Sequence, residues 1–139
     1  MIDGEISLKS LLFVTEGLEQ MLGKNGANAV LRTAGQRAAV NLIEMLPLTL
    51  PEDEAALRTG SILTELGFID ALSMPEPGML KISGNHIMDR LPELGLQDIT
   101  SSRYYTIGLF EGFLKKMSGS AKKIVSVEVG ADGEIWKLG

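Results

Sequence analysis

Residues 103–138, RYYTIGLFEGFLKKMSGSAKKIVSVEVGADGEIWKL, constrain the fold of this chain more than any other stretch. Gly108 and Gly112 stand four apart in an otherwise helical segment, so they share one helical face. Each costs roughly 1 kcal/mol of helix propensity against alanine. A close approach by another helix, the sheet or a ligand would offset that cost. Ile107, Phe110, Leu114 and Met117 make an apolar stripe, while Tyr104, Gly108, Glu111 and Lys115 make another side. Ser101 or Ser102 is placed to cap the helix and Gly119 to close it. KKIVSVEV then alternates as a strand, Val125, Val127 and Val129 facing one way and Ile124, Ser126 and Glu128 the other. Ala131-Asp132-Gly133 turns the chain into a last strand, EIWKL, whose Trp136 is expected in the sheet–helix core.

Upstream, residues 5–22 read as a helix with Leu8, Leu11, Leu12, Leu18 and Leu22 on its stripe and Gly23 as terminator. A second helix is expected from a cap at Asn25 to Leu46, with Pro47 beyond it. Its apolar positions include Ala27, Leu31, Ala34, Ala38, Leu42 and Met45, many of them small, and Gly35 lies among them. Such a helix needs a firm neighbour, inside the domain or across a dimer. Arg32, Gln36 and Arg37 cluster on it, and two readings stay open: an exposed polar face, or an inward arginine holding a carboxylate. A third helix is expected over 51–66, where Glu52, Asp53 and Glu54 suit the positive end of the helix better than they suit a metal. FIDALS and MLKIS read as strands joined through MPEPGM, with Pro75 and Pro77 held out of the ladder. A short helix over 85–90 and a loop anchored by Leu91, Leu94, Leu96 and Ile99 complete the reading. The pattern is α+β: helices packed on a small antiparallel sheet, in one domain over 1–139.

The chain has no cysteine, which excludes disulfides, thiolate catalysis and cysteine-ligated metals. No signal peptide is expected from MIDGEISLKSLLFV, and no run reaches the ~18 apolar residues of a membrane span. A cytoplasmic protein without stable membrane insertion follows as the expectation. The net charge of -5 argues against a nucleic-acid partner. Gly23-Lys24-Asn25-Gly26 resembles the backbone-clamping turn of KH domains, but over four residues only. Lys115, Lys116, Lys122 and Lys123 leave two readings, an anion or acidic-lipid contact and a solvated helix end.

Catalytic groups are sparse. His86, the sole histidine, has Asp89 and Arg90 near it but no nucleophile at a meaningful spacing. Metal binding there would need distant ligands such as Asp89, Glu93 or Glu111, so no metal and no cofactor are expected. Glu111 requires a partner if buried, and Lys115 one turn on supplies a local one. Phosphate-binding, dinucleotide and hydrolase motifs are absent from the sequence.

Gly108-Leu109-Phe110-Glu111-Gly112-Phe113-Leu114, then Ile124-Val125-Ser126-Val127-Glu128-Val129 and Ala131-Asp132-Gly133, resemble the 4-vinyl-reductase domain. That family is a hydrocarbon-binding module related to one class of subunits of the vesicle-tethering TRAPP complex. Gly23, Gly26 and the helix bearing Gly35 extend the resemblance over most of the chain. Many members carry cysteines around the last two strands; here Val129 and residues 135–138 stand there, so metal binding or acyl attachment through cysteine does not carry over. The resemblance implies a helix–sheet scaffold with an apolar cavity. The leading expectation is non-enzymatic binding of a small hydrophobic molecule, in a sensory or regulatory role. Met74, Met79, Leu91 and Leu94 would close the pocket, and Arg103, Tyr104 and Tyr105 would orient a polar end. Gly108, Glu111 and Trp136 complete the candidate set. The alternative is a homodimeric interaction scaffold without a ligand, joined through the alanine-rich second helix. An enzyme built on His86 with Asp89 or Glu111 ranks third.

Overall fold

The structure is a computed structural model that describes residues 4–42 and 49–139. Four α-helices among these residues pack on a four-stranded antiparallel sheet, an α+β fold. Helix α1 runs Gly4–Asn41 and is broken at Gly23, where φ is 74° and ψ 174°. Only the missing side chain makes that turn cheap. Asn25 is therefore already inside the second half of α1 rather than capping it. The expected helix end at Leu46, with Met45 before it and Pro47 beyond, lies outside the described residues.

Helix α2, Glu52–Glu65, starts behind Pro51 with its three acids in the first turn, as expected. Glu52 also accepts from Lys122 Nζ and Ser120 Oγ, both at 2.9 Å. Strands β1 (Ala71–Glu76) and β2 (Met79–Ser83) form the first hairpin. β1 begins three residues later than FIDALS suggests, because Phe68 N–H closes onto the α2 end at Leu63 and Asp70 N–H donates to Ser83. The strand then runs through Met74 and Pro75, so the loop shortens to Pro77-Gly78. Pro75 is tolerated because β1 is an edge strand and the register slips between Ser73 and Glu76.

Helix α3, His86–Asp89, is capped by the Asn85 side chain accepting from Met88 N–H. Helix α4, Arg103–Ser118, and strands β3 (Ile124–Gly130) and β4 (Gly133–Leu138) finish the chain. The sheet order is β1-β2-β4-β3. The expected alternation of β3 fails at its start. A bulge sets three residues, Ile124 to Ser126, against Leu138 and Lys137. Val125 is thereby pushed out, and Ile124 joins Val127 on the inner face.

Helices cover one sheet face, from which Leu80, Ile82, Trp136 and Leu138 are buried. α4 is buried continuously from Thr106 to Leu114. Its Phe110 meets Trp136 edge-on, ring centres 6.1 Å apart. The second half of α1 crosses α4 at backbone distance. A Cβ on Gly35 would meet Tyr105 O and lie 2.8 Å from Leu109 N; one on Gly108 would meet Arg32 O. One on Gly112 would lie 2.7 Å from Gln36 O. Gly35, Gly108 and Gly112 thus serve a crossing inside the fold. A second, smaller cluster of Leu12, Ile87, Leu91 and Leu96 fastens the first half of α1 over residues 86–99.

Candidate functional site

The α1–α4 crossing brings a charged pair into the interior. Glu111 is buried, and Arg32 grips it with two hydrogen bonds, Nε to Oε1 at 2.7 Å and Nη2 to Oε2 at 2.5 Å. Gln36 Nε2 donates at 3.0 Å and the Ile124 N–H at 2.9 Å. Arg32 Nη2 also donates to the Ile124 carbonyl at 2.5 Å, tying β3 to both helices. The inward arginine is therefore the correct one of the two sequence readings. Its hydrogen bond to Glu111 raises the guanidinium above its ordinary value, against burial. Tyr104 lies under the same guanidinium, 5.9 Å from ring centre to Cζ. The expected Glu111–Lys115 pair is not formed: four donor contacts already saturate the carboxylate, and Lys115 stands exposed one turn on.

Glu134 organises a second buried group. It accepts from Arg103 Nε at 2.8 Å, Trp136 Nε1 at 3.0 Å and Asn85 Nδ2 at 3.2 Å. Glu134 and Asn85 were not among the sequence candidates. The signal that could have found Glu134 is its place at i−2 from Trp136, on the same inner face of β4.

The candidate set divides accordingly. Tyr104, Gly108 and Glu111 meet around Arg32, and Arg103 and Trp136 meet around Glu134. Met74 packs against the main core, while Leu91 and Leu94 belong to the smaller cluster. Met79 is half-buried at the start of β2, opposite Lys137. Tyr105 touches both clusters, and burial raises its hydroxyl above the ordinary value. The two methionines and the two leucines thus do not converge on one wall.

His86 turns to Asp70, not Asp89. Its Nε2 lies 2.6 Å from Asp70 Oδ1 and its Nδ1 2.8 Å from Gly67 O. Glu111 is engaged elsewhere, so the two groups do not form an acid–base pair. Among the described residues no three His, Asp or Glu side chains are grouped to hold a metal ion, and no helix is long and apolar enough to cross a membrane. Lys24, just past the break at Gly23, donates to Glu19 Oε1, Thr100 Oγ1 and the Asp98 carbonyl, so the ammonium is engaged within the fold.

A cleft of about 360 Å³ opens where α1 and α4 meet the segment before β3. Glu111, Gln36 and Gly112 face it from within, with Val40, Arg37, Lys115 and residues 120–123 around them. Sequence reasoning singled out Lys115, Lys122 and Lys123 but had no means of adding Arg37, which α1 brings from far away in the chain. No family model, no curated protein and no solved structure matches this chain.

Proposed function

We propose that the protein is an interaction module that associates with a second copy of itself through the outer face of the first half of α1. One observation carries this reading. Ile6, Phe13, Val14 and Met21 are 64%, 50%, 55% and 83% exposed. At 3.6 residues per turn they fall with Ser10 and Gly17 in an arc of about 100° that holds no charge. Leu8, Leu12 and Thr15 occupy the opposite, inward side, so the stripe faces away from the cluster that holds this half of α1. The stripe is also self-complementary. A two-fold axis between Phe13 and Val14 sets Ile6 against Met21 and Ser10 against Gly17, small residue on small residue. Lys9 and Glu16 flank the stripe on one side, where the same axis brings one copy's lysine near the other's glutamate. The alanine-rich second half of α1 packs on α4 at Gly35, so this reading uses the first half instead.

Sedimentation analysis tests the reading. The wild type is expected at twice the chain mass, and Phe13→Glu or Met21→Glu at the chain mass with an unchanged circular dichroism spectrum. A wild type that stays monomeric across micromolar concentrations would remove it.

A second reading, binding of a small, partly apolar molecule, is supported by the cleft beside α1 and α4. Its volume of about 360 Å³ is within the range of roughly 300–1,000 Å³ common for small-molecule sites. Val40, Gly112 and Ala121 offer it apolar surface. The resemblance of residues 108–133 to a hydrocarbon-binding family supports it too. Denaturing extraction of purified protein, followed by mass analysis, tests for a retained molecule.

A further inference from the structure

We propose that the cleft between α1, α4 and residues 120–123 binds an amphiphilic anion, a carboxylate or phosphate on a short apolar chain. This rests on the second reading above and names its ligand class. Four cationic side chains line the cleft, Arg37 from α1, Lys115 from α4, and Lys122 and Lys123 from the segment before β3. They gather in a chain whose net charge is -5, so the local sign opposes that of the whole. Lys122 is paired with Glu52 at 2.9 Å. Arg37, Lys115 and Lys123 form no ion pair with any described residue.

The cleft's carboxylate does not cancel them. Glu111 is buried and its charge is met by Arg32, while Gln36 and the Ile124 N–H take its remaining acceptor capacity. Three positive charges therefore face one concavity without a counter-charge, and an incoming anion relieves their mutual repulsion. Val40, 48% exposed, and Ala121 give the other end of such a molecule an apolar wall. An inorganic ion would leave that wall wet, and an alcohol would leave the cations unmet. The observations thus favour a ligand with both ends.

Calorimetric titration with hexyl phosphate and with 1-hexanol tests this. Hexyl phosphate is expected to bind at least tenfold more tightly than hexanol, with affinity falling as salt rises. The double variant Lys115→Gln/Lys123→Gln should lose at least tenfold for hexyl phosphate and leave hexanol unchanged. Lys81→Gln, on the outer sheet face, should change neither. Equal binding of the two ligands would keep the small-molecule reading and overturn the anion inference. Binding of neither would remove both. Undiminished hexyl phosphate binding by the double variant would also overturn it, by placing the ligand elsewhere. Flotation with phosphatidylglycerol vesicles separates the sources: flotation lost in the double variant identifies a lipid headgroup, and hexyl phosphate binding without flotation a free anion.

Discussion

At the residue scale, Glu111 shows where a local rule yields to a tertiary one. An i,i+4 lysine offers about 0.2–0.5 kcal/mol on an exposed helix. A buried carboxylate has more at stake, because leaving it unpaired costs several kcal/mol, and Arg32 supplies the geometry that Lys115 cannot. Glu111→Ala is expected to lower stability by about 3–5 kcal/mol, read by urea denaturation, because it leaves Arg32 without its partner. Arg32 was legible in the sequence as one of two alternatives; its partner was not, since no local spacing links positions so far apart. Glu19 gives the pH dependence. Burial opposes its ionisation, but hydrogen bonds from Ser101 and Lys24 outweigh burial and hold the carboxyl below its ordinary 4.5. A lowered folded value stabilises the fold above pH 4.5, and that contribution disappears as pH falls through the folded value. Glu19→Gln should be less stable than wild type at pH 7, and the gap should narrow below pH 4.5 in thermal melts.

At the element scale, glycines were the most readable feature and strand ends the least. Gly108 and Gly112 signalled a close approach, and the partner is the second half of α1 at Gly35. Gly108→Ala places a methyl against the Arg32 carbonyl, which belongs to helix backbone and yields little. It should cost about 1–3 kcal/mol of thermal stability even though alanine favours helix. Gly17→Ala meets nothing within 4 Å in the monomer and should stabilise it by up to about 1 kcal/mol. The β1 start and the β3 bulge escaped sequence reasoning for one reason. Alternation reports which residues suit a pleated surface, whereas register depends on where the neighbouring strand and helix end take their hydrogen bonds.

For the whole molecule, helices on one sheet face follow from the chain's hydrophobic periodicities, and the α+β class was legible for that reason. A functional surface was less so. The apolar stripe of Ile6, Phe13, Val14 and Met21 lies on a helix that also carries an inward leucine face, and periodicity alone does not separate two apolar faces of one helix. If the copies associate as proposed, the thermal midpoint should rise with protein concentration in wild type and be flat in Phe13→Glu. The break at Gly23 then acquires a consequence. It divides α1 into a rod that ends in the main core, at Ala39, and a rod held by the smaller cluster, at Leu12. Lys24 bolts the joint to residues 98–100. Glu19 and Glu5 anchor the outer rod as well, at Ser101 and Arg90, so the apolar stripe is carried on a strut whose moorings are separate from the crossing of α1 with α4.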